Sequence, residues 1–169
     1  MTAPASTSAP TASRGIDPRG PRFVAGIVAI KFLVVIALAL LGLDNPGFAI
    51  AALVLAIYNA AIFLFAAIAG VPRHPYGVLF KKLIRPRLKP PVELEDPTPP
   101  TFAQGVGFVV TIVGILLFFP FGSIALVIAG AAAFVAAFLN SVFAYCLGCQ
   151  IYLLLARAGI LGRKGPATA

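Results

Sequence analysis

The sequence predicts an all-α membrane protein: a four-transmembrane-helix bundle with both termini cytoplasmic. Three observations carry that expectation, namely the composition, four long apolar runs, and the placement of the basic residues. Of 169 residues, 60% are hydrophobic and 11% charged, against roughly 45–50% and about 25% in an average soluble domain. A soluble domain of this length cannot hide so much apolar surface from water. A disordered chain would be poor in apolar residues and rich in charge. Thirteen Lys and Arg against five Asp and Glu give a net charge of +8, an excess that ordinarily raises nucleic acid as a partner. Here the basic residues flank apolar runs and no recognition fold accompanies them, so no nucleic acid is expected. The expected partner is the lipid bilayer.

The elements follow in chain order. Residues 1–22 read as an N-terminal tail and lead-in, with 1–13 disordered and 16–22 stiffened by Pro18 and Pro21. The membrane domain covers 23–158, with spans at about 23–43, 47–70, 102–120 and 122–157. About 20 apolar residues cross the ~30 Å hydrocarbon core as a helix. The first run is not a cleavable signal, being longer than the usual 7–15-residue apolar region and lacking a small-x-small site after it. Asp44-Asn45-Pro46-Gly47 is a compact turn that makes a helical hairpin of the first two spans. Residues 102–156 would make roughly 80 Å of continuous helix, so two helices are expected, the last long or bent. Their turn is placed at Pro120-Phe121-Gly122-Ser123, the alternative being a turn near Gly130 with Pro120 kinking the third helix. Small residues such as Gly130-Ala131-Ala132-Ala133 suit close helix packing in lipid.

Charge placement gives the orientation. Arg14, Arg19 and Arg22 precede the first span, and Arg73, Lys81, Lys82, Arg85, Arg87 and Lys89 lie in the loop 71–101. Arg157, Arg163 and Lys164 lie at the C-terminal end, whose tail is 159–169, and the two short turns carry no basic residue. Four spans with the termini and the basic loop in the cytoplasm satisfy the positive-inside rule. Within the loop, residues 77–85 mix apolar and basic side chains, as a short helix on an anionic membrane surface does. Residues 90–97 read as extended and acidic.

Few residues carry chemistry. Cys146-Leu147-Gly148-Cys149 holds both cysteines of the chain. One reading is a thiol–disulfide or sulfur-handling pair, and the other is two small polarisable residues filling a helix interface. Residues three apart on a helix have Cβ atoms ~5–6 Å apart, so a disulfide needs local adjustment, which Gly148 would permit. The attacking cysteine is not assigned, because no helix start is evident within 143–153. Two cysteines are too few for a four-ligand structural zinc site, and no metal is expected. Lys31 is the one charge inside a span, where an ionisable group faces the bundle interior or snorkels to an interface. Counted along the helices, Lys31, Asn59, Cys146 and Cys149 lie at depths that agree within about one turn. They are expected to form a polar cluster in which the ammonium favours a cysteine thiolate. His74, the sole histidine, reads as structural rather than as a proton carrier, and Gln104 and Asn140 read as helix–helix hydrogen-bonding residues.

Asp17-Pro18-Arg19-Gly20-Pro21-Arg22-Phe23, His74-Pro75-Tyr76, and Asn140 with Cys146-x-Gly148-Cys149 occur in an order that resembles a bacterial membrane family, domain of unknown function 4395. The resemblance covers roughly residues 14–158. It implies a multi-pass protein of the bacterial cytoplasmic (inner) membrane, and a thioredoxin-like or sulfurtransferase protein as partner. A four-span bundle with Cys-x-x-Cys is also similar to the quinone-linked disulfide-forming membrane enzymes of the vitamin K epoxide reductase type. This chain departs from them in having no second cysteine pair and in carrying its own pair on the cytoplasmic side. The sequence therefore points to thiol–disulfide exchange or sulfur handling through Cys146 and Cys149. The competing class is a transport, scaffold or accessory subunit in which the cysteines only pack. No motif names a cofactor; a bound quinone, the substrate and the oligomeric state are not written in the residues.

Overall fold

The computed structural model describes residues 15–161; the expected tail at 1–13 and residues 162–169 of the C-terminal tail lie outside them. Six helices follow one another: α1 (Arg19–Leu41), α2 (Pro46–Ala69), α3 (Pro75–Leu79), α4 (Thr98–Phe121), α5 (Ser123–Phe143) and α6 (Leu147–Arg157). α3 runs on through a π turn, Phe80–Ile84, and a 3-10 turn, Arg85–Arg87. Four helices, α1, α2, α4 and α5, are long and apolar enough to cross a membrane, with mean hydropathy between 2.2 and 2.8 over their best windows.

Local chemistry ends the helices. Asn45 caps α2, its Oδ1 accepting from Gly47 N–H at 2.9 Å, with Pro46 in the first helical position, where a missing N–H costs nothing. α4 stops at Gly122, whose φ of 69° needs a residue without a Cβ. The turn between α4 and α5 thus lies at Gly122 and not near Gly130. Ser123 Oγ then donates to Gly42 O at 3.1 Å, stitching the α1–α2 turn to the α4–α5 turn. These two turns form one end of the bundle, the turn end. The start of α1, the end of α2, the loop and α6 lie at the other, the loop end.

The last segment is not one long or bent helix. α5 ends at Phe143, and Ala144 takes a left-handed conformation with φ of 55°, at a cost of roughly 1–2 kcal/mol for a residue with a Cβ. The N–H groups of Ala144 and Tyr145 both return to Leu139 O. α6 then sets off along α4. It has 11 residues, roughly half the length of a span.

Packing is closest between α1 and α5, then between α2 and α4. Phe32, Val35 and Leu126 are fully buried, with Ala39, Ala52 and Ala56 between the helices. Glycines set the approach distances: a Cβ on Gly107 would stand 3.0 Å from the Phe63 ring, and one on Gly114 would collide with the Ala129 methyl. Where lipid tails are as apolar as the side chains, such close contact drives association. Ile30, Ile68 and Phe119 point outward and are more than 60% exposed, a belt that suits hydrocarbon and not water.

The loop is tied down. Ile16 and Glu95 exchange backbone hydrogen bonds of 2.8 and 2.9 Å, so the acidic stretch is extended beside the chain that enters α1. Asp17, 7% exposed, accepts from the Arg19 backbone N–H, Nε and Nη2, and Arg19 also reaches Lys89 O at 2.9 Å. The segment 77–85 is helical as expected, but its Phe80 is buried against Gly20 and the Phe23 ring, leaving Lys81, Lys82 and Arg85 outward.

Gly114→Leu is expected to destabilise the α4–α5 crossing by about 1–3 kcal/mol, the usual cost of overpacking. Thermal unfolding in detergent micelles reads it as a fall of several degrees in Tm. An unchanged Tm would mean that the two helices do not need this approach.

Candidate functional site

The cysteine pair sits where α5 gives way to α6. Arg22, from the first turn of α1, points its Nη2 at Ser141 O and Val142 O, 3.4 and 3.5 Å away. These are carbonyls of the last turn of α5, which lack intrahelical donors, and a cation there also complements the helix dipole. The chain then turns through Ala144 and reaches Cys146, which is extended (φ −88°, ψ 101°) and forms the N-cap of α6. Its Sγ accepts from Cys149 N–H at 3.3 Å, as a Ser or Asp oxygen does in other caps. Sequence reading found no helix start here because sulfur is not among the usual capping atoms. The amphipathic character of 147–157 was the available signal.

Cys146 and Cys149 form a disulfide with Cα atoms 5.2 Å apart. The local adjustment expected for a pair lying on a helix is met by placing the first cysteine outside it. Gly148 acts as spacer rather than hinge, since a Cβ there would stand 2.5 Å from that of Ala103 on α4. Phe102 and Tyr152, ring centroids 5.6 Å apart, hold the same α4–α6 contact.

Both cysteines face a polar cleft of about 490 Å³, lined also by Arg22, Glu95, Asp96, Asn140 and Gln150. A second cavity of about 280 Å³ reaches Cys146 from inside the bundle, and Pro21, Pro100, Asn140 and Cys146 line both. Sequence reading used Arg22 only as an orientation charge and missed Glu95 and Asp96 as members of the site. Asp96 is there because its carboxylate accepts from Thr98 N–H and Oγ1 at the start of α4. Glu95 is there because of its pairing with Ile16.

Lys31 and Asn59 are brought elsewhere. Lys31 Nζ donates to Tyr76 OH at 3.1 Å and stands 4.3 Å from the centre of the Tyr58 ring and 5.0 Å from that of Tyr76. The two phenols share a hydrogen bond of 2.9 Å. Aromatic faces attract a cation by their quadrupoles, more so away from water. Asn59, 2% exposed, donates to Leu55 O one turn back. The four-residue cluster expected from equal depth is therefore not assembled, since depth leaves the angle around the helix free. Lys31 follows Gly20 by eleven residues, about three turns, and Gly20 faces Phe80. Both look toward the α3 segment, whereas α6 packs on α4. Gln104 does not make the expected helix–helix bond either: its Oε1 is buried with no donor.

His74 is structural, as expected. It is fully buried, its Nδ1 accepts from Tyr76 N–H at 3.2 Å and caps α3, and its ring lies 5.4 Å from that of Tyr76. Burial, and secondarily the charge of Lys31, pushes its imidazole down to about 4. Burial also raises the Tyr76 phenol to about 12. The hydrogen bonds from Arg19 hold the Asp17 carboxyl below its ordinary value.

Among known protein families, the model of Domain of unknown function (DUF4395) matches residues 16–157, a stretch that takes in every motif on which the resemblance rested. No curated protein and no solved structure matches significantly. The chain belongs to the domain of unknown function 4395 family.

The folded His74 binds a proton less readily than the unfolded one, so its contribution to stability is complete above the ordinary value of 6.5 and is lost as pH falls toward 4. The loss should reach about 2 kcal/mol by pH 5. Chemical unfolding in detergent between pH 7.5 and 5 reads it, and His74→Gln should flatten that slope. An equal slope in the variant would place the titration elsewhere. The Asp17 contribution is lost lower, below the ordinary carboxylate value.

Proposed function

Taking that family membership as premise, we propose that the protein exchanges disulfides through Cys146 and Cys149. It does so as a four-span protein of the bacterial cytoplasmic membrane with its termini, basic loop and cysteine pair on the cytoplasmic side. The observation that supports the chemistry is the position of Cys146, N-cap of α6 and acceptor of Cys149 N–H, at the wall of an open polar cleft. A thiolate in that position meets free N–H groups and the positive end of a helix dipole. Cysteines of Cys-x-x-Cys pairs at helix N-termini have pKa values below the ordinary ~8.5. The orientation rests on the positive-inside distribution of Lys and Arg.

The reaction is a reversible two-step exchange with a soluble dithiol protein of thioredoxin type. A partner thiolate attacks Cys146 Sγ, and the Cys146–Cys149 bond breaks, with Cys149 leaving as thiolate and taking a proton. The second partner thiol, deprotonated, attacks its neighbour's sulfur and expels Cys146 as thiolate, which the start of α6 stabilises. Two electrons pass to this protein and the partner becomes a disulfide. Cys146 is thereby the exchanging sulfur and Cys149 the resolving one. With a sulfurtransferase partner the reduced pair would act instead: Cys146 thiolate attacks the outer sulfur of the partner's persulfide and expels the partner's cysteine thiolate, and Cys149 thiolate then attacks Cys146 Sγ, releasing hydrosulfide and closing the Cys146–Cys149 disulfide.

Cys149→Ser, through the Cys146 thiolate, should form a mixed disulfide with a thioredoxin-like partner whose resolving cysteine is replaced and whose remaining cysteine carries thionitrobenzoate in disulfide linkage, expelling thionitrobenzoate as the leaving group, and Cys146→Ser should form none. Non-reducing electrophoresis with mass identification reads both. Alkylation of reduced Cys149→Ser against pH should give a Cys146 pKa at least one unit below 8.5. A Cys146→Ser/Cys149→Ser protein with normal membrane levels and unchanged cellular function would establish instead that the cysteines only pack. Differential alkylation of intact cells and inverted vesicles should label the reduced pair only in inverted vesicles.

A further inference from the structure

The basic loop holds a pocket that the cysteine chemistry does not use. At the π turn after α3, a space of about 380 Å³ opens between Lys81, Arg85 and Lys89. Lys81 and Arg85 lie four residues apart across the turn Phe80–Ile84, a kind of turn that is rare and concentrates at functional positions. Lys89 comes back to them after the Arg85–Arg87 turn. Pro86, Pro90 and Pro91 form much of the remaining wall, and their fixed φ angles hold the chain in that course. The frame is also tied to its surroundings. Arg19 donates to Lys89 O at 2.9 Å, Lys81 Nζ to Pro72 O at 2.9 Å, and Arg87 Nη1 to Leu83 O at 2.8 Å. No carboxylate lines the pocket. Of its three cations only Arg85 has an acidic neighbour among the described residues, Asp17 at 4.0 Å, and that carboxylate is already bound by Arg19 at 2.8 Å.

Three cations gathered without a counter-charge call for an anion, and the surroundings decide its kind. Phe80 packs on Gly20 and the Phe23 ring, so the pocket stands where α1 enters its membrane-crossing length. Leu79, Leu83 and Leu88 are exposed on the same segment, and Leu88 lines the pocket itself. A small soluble anion offers such leucines no apolar surface, whereas a phospholipid brings a phosphate and acyl chains together. We propose that the pocket binds the headgroup of an anionic phospholipid, its phosphate held by Lys81, Arg85 and Lys89 and its upper acyl chains lying against the leucines. Lys81 keeps two of its three donors after bonding Pro72 O, and the Arg85 guanidinium suits two-point contact with a phosphate. A zwitterionic headgroup is disfavoured, because its quaternary ammonium would meet the same three cations. The general attraction of a basic loop for an anionic membrane is different, since it depends on charge summed over a Debye length of ~10 Å at 0.1 M salt and not on which lysine supplies it. The site is independent of disulfide exchange and holds whether or not Cys146 reacts.

The test uses the full chain, delipidated in detergent micelles and titrated with dioleoylphosphatidylglycerol or dioleoylphosphatidylcholine, with retained lipid counted by native mass spectrometry. Phosphatidylglycerol should fill one saturable site at least tenfold more tightly than phosphatidylcholine. It should also raise Tm, as a ligand of the folded state does. Lys81→Gln/Lys89→Gln should weaken that binding at least tenfold. Lys82→Gln/Arg87→Gln removes the same charge from the same loop outside the pocket and should change it less than twofold. All four side chains are exposed, so both variants should keep the wild-type Tm without lipid. Should the pocket pair lower it, Lys89→Gln alone decides, with a loss of at least threefold expected. Glycerophosphoglycerol, the headgroup without acyl chains, should not displace the lipid at equal concentration. The inference is overturned if the two lipids bind alike, or if the two double variants lose affinity equally, the result expected of diffuse attraction. Displacement by glycerophosphoglycerol at equal concentration overturns it too, since the occupant would then be a soluble anion.

Discussion

The arrangement of the site depends on how α5 is allowed to end. A helix that stops near lipid leaves carbonyls without donors, and each unmet group there costs several kcal/mol. Arg22 of α1 supplies donors to Ser141 and Val142, and the returning N–H groups of Ala144 and Tyr145 meet Leu139. With those carbonyls answered, the chain can take a left-handed step at an alanine and start again in a new direction. Cys146 becomes the first residue of that new direction. The same arginine thus closes one helix and stands beside the start of the next, which joins α1 to a site lying more than a hundred residues away in sequence.

Two kinds of packing divide the bundle. Toward the turn end, glycine and alanine bring helices together until methyl groups fill the space a Cβ would need, as at Gly114 and Ala129. Toward the loop end, α4 and α5 are held apart by what is inserted there, with α6 across the opening and the Pro21 and Pro100 region beneath it. The corner formed by α1, α2 and α3 is different again, because its centre is a cation between two phenols. Lys31 has no carboxylate partner in that corner; the faces of Tyr58 and Tyr76 and one phenol oxygen do that work.

The long-range pattern was legible in the sequence because it follows from summed quantities. Twenty apolar residues in a row, a Pro-Gly turn and a one-sided distribution of arginines each average over many side chains. Four long apolar helices, the family and the cysteine pair could be read that way. What could not be read depends on angles and single atoms. Equal depth suggested that Lys31 and the cysteines meet, but its direction about α1 sends Lys31 to Tyr76. The start of α6 was hidden because its cap is a sulfur, and the division between α5 and α6 because an alanine occupies the position where glycine would have announced it. Arg22 was visible as a charge, while its second role needed the end of α5 to be in place.

The closest helix pair, α1 with α5, is also widely separated along the chain, which bears on how the protein is made. About a hundred residues separate the end of α1 from the end of α5, some 5–20 s of synthesis at ordinary rates. Through that interval α1 has only α2 and the α3 segment to pack on, and the carbonyls that Arg22 will cap do not yet exist. The tyrosine-held Lys31 and the Phe80 contact with Gly20 can form as soon as the loop is made. They give the first hairpin a provisional shape, and the cysteine pair is placed only after α1, α2, α4 and α5 have been made.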